Sequence, residues 1–158
     1  MIEIRDAVPA DAPAISHIAR EVQRLHAEAL PAVFKPAGPD TFPPPVIEAR
    51  MTTPGHRFWV AVEDGAVVGY VAATVQHEPE SPWKHAATVC TLDQMGVAEH
   101  RRGCGAGAKL VDAVRAAAAA AGATEVRLNV WSFNEGARAF YARCGFVETQ
   151  ARLWLSTA

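Results

Sequence analysis

His100-Arg101-Arg102-Gly103-Cys104-Gly105-Ala106-Gly107 lies between an apolar stretch, Ala86 to Val97, and a segment in which Leu110, Val111, Val114, Ala118 and Ala121 recur at helical spacing. A strand, a glycine loop and a helix in that order give an anion site. Small residues let a ligand approach the backbone. The first turn of a helix leaves amide N–H groups unpaired and carries partial positive charge, which suits a pyrophosphate. Arg101 and Arg102 add cationic donors. By itself the stretch also fits a plain glycine turn before a helix. Two nucleotide-binding readings fit poorly. Ala108-Lys109-Leu110 lacks the Gly-Lys-Ser/Thr of a P-loop. A dinucleotide fingerprint opens the first crossover of a parallel sheet, whereas this loop comes about two thirds along the chain.

Outward from the loop, the pattern mixes both periods. Ile2 and Ile4 alternate with polar residues as a short strand, and Asp11 is placed to cap the next helix, with Pro13 in its first turn. That helix, carrying Ile15, Ile18, Ala19, Val22 and Leu25, should end near Leu30-Pro31. Residues 31–45 are rich in proline and read as a long loop, and a short helix is expected at Val46 to Met51. Arg57 to Val62 and Val67 to Gln76 read as a hairpin about Glu63-Asp64-Gly65. After a polar loop, His77 to His85, the apolar Ala86 to Val97 reads as a central strand. Beyond the glycine loop and its helix, Gly122 is a helix stop, Val126, Leu128 and Val130 alternate as a strand, and Asn134 caps a last helix ended by Gly145. Phe146 to Leu155 reads as a final extended segment. These elements predict an α+β fold in a single domain, residues 1–158: a mixed, mostly antiparallel sheet of six to seven strands flanked by about four helices.

Composition narrows the function classes. Of the 158 residues, 50% are hydrophobic and 20% charged, with a formal net charge of -2. That is ordinary for a globular chain and offers no field for nucleic acid or anionic lipid. There is neither a signal-peptide h-region near Met1 nor an apolar run long enough for a membrane helix. Cys90, Cys104 and Cys144 show neither disulfide pairing nor metal-ligand spacing, so no metal is expected and a cytoplasmic setting is the simplest expectation.

Two stretches taken together carry a family resemblance. Met95-Gly-Val97 followed by Arg101-Arg-Gly-Cys-Gly-Ala-Gly107, then Asn134-Glu-Gly-Ala-Arg-Ala-Phe-Tyr-Ala-Arg-Cys-Gly-Phe146, resembles the GNAT acetyltransferases over residues 87–155. The family's loop reads Gln/Arg-x-x-Gly-x-Gly/Ala, and its later motif reads Asn-x-x-Ala-x-x-Phe-Tyr-x-x-x-Gly-Phe. His100 departs from the Gln or Arg usual at its position. The resemblance implies acetyl-CoA as co-substrate and a small-molecule or peptide amine as acceptor. It also implies that the strand ending at Val97 splays from its neighbour, so that main-chain groups at Met95 and Val97 pair with the pantetheine arm. The amides of Arg102, Gly103, Gly105, Ala106 and Gly107 would hold the pyrophosphate. Asn134 would lie beside the cofactor as well as capping its helix, and Tyr141 would sit near the sulfur as general acid. A phenol suits that role, because its proton can be shared with a departing thiolate. Without the motif, Tyr141 reads as an amphipathic core residue.

The amine needs a base. Asp93, two residues before Met95, and His26, before the proline-rich loop, both fit, and a water relay would need neither. Phe34 and Trp83 are candidate substrate contacts, with His26. The acids Glu78 and Glu80 suit a polyamine or aminoglycoside as well as they suit a solvated loop, and an amino acid or protein N-terminus stays open. Dimers are common in the family, so a homodimer is one expectation. The alternative function is a catalytically silent acyl-CoA-binding regulatory module.

Overall fold

The computed structural model describes residues 1–157. Strands β1 (Glu3–Asp6), β2 (His56–Glu63), β3 (Ala66–Glu78), β4 (Ala87–Val97) and β5 (Glu125–Leu128) form one five-stranded sheet in the order β1-β2-β3-β4-β5. Every neighbouring pair is antiparallel except β4–β5, which is parallel and joined through helix α3 (Ala106–Ala120). The other helices are α1 (Ala12–Ala29), α2 (Pro44–Met51) and α4 (Glu135–Arg143).

Each face of the sheet carries one half of the core. On one face Ile15, Ile18 and Ala19 of α1 and Ile47 of α2 pack over Phe58, Val60, Tyr70 and Ala72. On the other, Leu110, Val111 and Val114 of α3 pack over Trp59, Ala61, Val71, Ala73, Cys90 and Leu92, with Phe140 and Tyr141 of α4 at the margin. The β2–β3 turn is the Asp64-Gly65 pair, both at positive φ (51° and 78°), as the two-residue hairpin turn matching strand twist requires.

Two expectations are corrected. The sequence predicts six to seven strands, but the sheet has five among the described residues. Phe146 to Leu155 joins no ladder, and Val147, Leu153 and Leu155 are 81%, 90% and 90% exposed. Alternation signals a strand only where a neighbour offers backbone partners. β5 likewise stops at Leu128, short of Val130, where its pairing with β4 ends. Asp11 does precede α1, yet its carboxylate caps no amide of that helix. It accepts the Val8 amide at 2.8 Å and the Arg5 guanidinium at 2.7 and 2.9 Å, tying β1 to the start of α1.

Candidate functional site

The β4–β5 ladder runs only from Val89↔Glu125 to Leu92↔Leu128, although β4 continues to Val97 on its β3 side. The edge of β4 that carries Met95 and Val97 therefore opens toward a gap instead of a strand. An extended ligand can add to such an edge through main-chain hydrogen bonds. The register slips where β5 leaves: Ala72 faces Gln94 and Ala73 faces Leu92, so Asp93 is an extra residue, a β-bulge. The bulge turns Asp93 and Gln94 toward the α1–α2 face. The Asp93 carboxylate accepts the Thr74 hydroxyl there, and Gln94 Oε1 accepts Arg50 Nη1 at 3.3 Å. Met95 and Val97 pack with the α3 side.

At the end of the gap lies the glycine loop. Gly103 and Gly105 have φ of 81° and 90°, and a Cβ added to either would meet nothing within 4 Å. Their backbone shape, not crowding, demands glycine. The amides of Gly103, Gly105, Ala106, Gly107 and Ala108 have no hydrogen-bond partner among the described residues, and the first α3 amide to be paired is Lys109, on Gly105 O. Unpaired amides at a helix start fit a pyrophosphate. The Arg102 amide is already turned to Glu99 O at 3.4 Å and the Cys104 amide to Arg101 O at 3.4 Å. Arg101 is ion-paired with Glu63 of β2, whereas the Arg102 side chain is exposed. Gly107 has a packing reason of its own: an added Cβ would lie 3.1 Å from Phe140. This close approach seats α4 against α3, with Met95 Cε 3.7 Å from the same point.

α4 holds the phenol. Asn134 caps it, Oδ1 accepting the Ala137 amide at 3.1 Å, and Tyr141 lies between Phe140 and Phe146 at ring separations of 5.2 and 5.6 Å. Burial, with a smaller contribution from Cys144, pushes the Tyr141 phenol up to about 12. A phenol so placed is neutral at physiological pH and is a persistent hydrogen-bond donor. It is also a weaker acid than a free phenol at about 10, so complete proton transfer to a thiolate at about 8.5 is uphill. It can therefore donate a hydrogen bond more readily than it can give up its proton.

The remaining candidates separate. His26 and Phe34 come together, their rings 5.1 Å apart, and Phe133, Trp131 and Trp154 extend the cluster. His26 Nδ1 lies 2.9 Å from Val22 O, so that nitrogen is engaged within α1. A groove of ≈ 490 Å³ lies beside this cluster, bounded by Leu25, Glu28, Phe133, Asn134 and Glu135 among others. Trp83 is not brought to the others: it is 81% exposed in the β3–β4 loop, at the opposite end of the ladder from Gly69↔Val97. Glu78 belongs to that end too, paired with Arg127 and Lys84, which accounts for one of the acids without a substrate. Sequence reasoning missed Arg50, Gln94 and Tyr70. Only the bulge and the pairing of Tyr70 with Gly96 reveal them. No group of three or more residues suited to a metal occurs among the described residues.

Comparisons with known proteins agree with this architecture. A mutant of the BH1408 protein from Bacillus halodurans superposes with a TM-score of 0.95 at 22% identity, over 99% of each chain. The aminoglycoside 6'-N-acetyltransferase AAC(6')-Ih from Acinetobacter baumannii does so at 0.72 and 17%, over 100% of this chain and 99% of the other. The aminoglycoside N-acetyltransferase AAC(6')-Iy in complex with CoA gives 0.69 and 17%, over 99% and 95%. At these identities the likeness is one of fold. Among the curated proteins, none matches significantly. The profile of the Acetyltransferase (GNAT) family matches residues 19–146, through both motif stretches that line the gap, and the chain belongs to that family.

Proposed function

We propose that the chain transfers the acetyl group of acetyl-CoA to the primary amine of a small molecule by direct attack, with Tyr141 assisting departure of the thiol. The observation that carries this reading is the β4–β5 gap, which runs from the bulge at Asp93 to the unpaired amides of Gly103 to Ala108. Bound acetyl-CoA would supply the activated acyl group as a thioester. The free edge of β4 at Met95 and Val97 suits its amide-bearing arm, and the loop amides suit its phosphates. The solved structure of a family fold with CoA, and the small amines named for the aminoglycoside enzymes, favour the same class of reaction.

On the acceptor side, Asp93 is an exposed carboxylate at the mouth of the gap, able to take the proton an attacking ammonium must lose, directly or through water. On the sulfur side, Tyr141 donates a hydrogen bond as the carbon–sulfur bond breaks, and the low polarity around it strengthens that bond. His26, with one nitrogen held by Val22 O and its ring packed against Phe34 and Phe133, is the poorer base. Thermal melting with and without acetyl-CoA, followed by thiol release over a panel of amines, tests the reading. A higher Tm with acetyl-CoA and amine-dependent thiol release are expected. Binding without thiol release from any amine would establish the silent module instead, and no binding at millimolar acetyl-CoA would remove the reading altogether.

A further inference from the structure

The α1–α2 face of the gap holds opposite charges that do not pair with each other. Arg50, at the end of α2, is half-buried, lies 5.6 Å above the Phe58 ring, and makes one hydrogen bond, to the neutral Gln94 side chain. It has no carboxylate partner among the described residues. Arg5, Arg24, Arg57, Arg101, Arg115, Arg127 and Arg138 are ion-paired. Of the other arginines without a carboxylate, Arg102, Arg143 and Arg152 are exposed, and half-buried Arg20 is held by the carbonyls of Thr41 and Pro39. Asp93, next to Gln94 on the bulge, holds only the Thr74 hydroxyl and is likewise without a cation. A guanidinium has a fixed fork of donors, and desolvating it without an anion is unfavourable.

Tyr70 adds a second, independent observation. Its side chain is 2% exposed, and its ring runs over Gly96, where an added Cβ would lie 3.2 Å from Tyr70 Cε1. Its hydroxyl makes no hydrogen bond among the described residues. Ser16 Oγ and Arg101 Nε are the side-chain polar atoms found both buried and unpaired, and the Tyr70 oxygen is not among them. The trace of exposure this tyrosine retains therefore includes its oxygen, on the α1–α2 face where its ring packs over Gly96. Burial pushes this phenol up, with a smaller opposing influence from the Arg50 guanidinium. Arg50 reaches the same face through Gln94, whose strand partner Ala72 lies two residues from Tyr70 on β3.

We propose that Arg50 and the Tyr70 hydroxyl bind a carboxylate carried by the amine substrate, with the amine itself directed to Asp93. The chain then selects amines of amino-acid type, in which carboxylate and nitrogen are a few bonds apart, over purely cationic amines. This deepens the acetyltransfer reading and rests on it. No covalent step is added: Arg50 stays protonated and Tyr70 stays a neutral donor. A polycation would bring positive charge against an unpaired guanidinium, which opposes binding.

The test is thiol release from acetyl-CoA with amino acids, the amines formed by their decarboxylation, and an aminoglycoside, using the wild type, Arg50→Gln, Arg50→Lys and Tyr70→Phe. In the wild type, kcat/KM for the better amino acids should exceed that for their decarboxylated counterparts by about tenfold or more, the worth of one good charge-assisted contact. Arg50→Gln should erase that preference through KM, leaving kcat within about twofold, and Arg50→Lys should restore part of it. Tyr70→Phe should act in the same direction by a few-fold. Retention of the acetyl-CoA-induced rise in Tm shows that each variant is folded. If decarboxylated amines or the aminoglycoside are the better substrates, or if Arg50→Gln lowers kcat/KM equally for both members of a pair, the carboxylate site is refuted while acetyltransfer stands. If no amine releases thiol, both fall.

Discussion

On the α3 side of the gap, the groups offered to a ligand are main-chain amides: Gly103, Gly105, Ala106, Gly107 and Ala108 at a helix start, and the free edge of β4 at Met95 and Val97. On the α1–α2 side they are side chains drawn from three separate elements: Arg50 from α2, Tyr70 and Thr74 from β3, and Asp93 and Gln94 from the β4 bulge. A main-chain site is tied to one local sequence, because its shape follows from glycine φ angles and a helix start. A side-chain site depends on register and packing between distant segments. The first kind suits a ligand that never changes, such as a carrier tail. The second suits a ligand that differs from one protein to another.

The largest expected effect lies on the α3 side, at the phenol of α4. Tyr141→Phe keeps the ring between Phe140 and Phe146 and removes only the hydroxyl. Turnover should fall about 100-fold, within the range for a lost acid, while acetyl-CoA affinity by calorimetry stays within about twofold. Undiminished turnover would take Tyr141 out of the chemistry. It would also leave the α3 side as a binding surface alone.

Two glycine substitutions then separate the sides by kind of damage. Gly96→Ala places a methyl 2.8 Å from Ile18 Cγ2, 3.1 Å from Val22 and 3.2 Å from Tyr70, all fixed by packing. The fold should lose about 1–3 kcal/mol, the usual cost of overpacking, or roughly 2–12 °C in Tm. Gly105→Ala meets nothing, but forces an alanine to φ 90° at a loop that must hold its shape to bind. Strain of about 1–2 kcal/mol should appear mainly as roughly tenfold weaker acetyl-CoA binding. If Gly105→Ala binds acetyl-CoA normally while its Tm falls, the loop shape serves folding and the contrast between the two sides fails.

This division also explains what could be read in advance. The loop His100 to Gly107 and the Asn134 to Phe146 stretch are contiguous, so the cradle and the phenol were visible as residue patterns. Asp93 was visible through its position on β4. Arg50 and Tyr70 look ordinary in sequence, a helix-end arginine and a strand tyrosine, and acquire meaning from the one-residue slip between Ala72 and Ala73. Trp83 is the converse case: a loop aromatic is visible in sequence, but which end of the ladder its loop occupies is not. The hairpin at Asp64-Gly65 was legible because φ > 0 at both turn positions has a residue signature. The fate of Phe146 to Leu155 was not, because alternation cannot say whether a neighbouring strand is present.

The smallest expected effect concerns how the side-chain half is anchored. Asp11 is 8% exposed at its side chain and grips Arg5, itself 39% exposed. The Arg5 hydrogen bonds hold its carboxyl below the ordinary aspartate value, against the opposing effect of burial, with the Val8 amide assisting. A carboxyl lowered on folding contributes stability that is present above its unfolded value, about 3.9, and lost as pH falls through the folded value. Asp11→Asn should therefore cost about 1 kcal/mol at pH 7, a modest figure because Arg5 is partly solvated. The Tm difference from wild type should be about 2–4 °C at neutral pH and shrink below about pH 4, as the wild-type carboxyl protonates. Since α1 carries Ile18 and Val22 against Gly96, loosening its start should also raise KM for the amine more than Kd for acetyl-CoA. Equal loss on both ligands would show that β1 and α1 support the two sides of the gap alike, and that the amine side has no anchorage of its own.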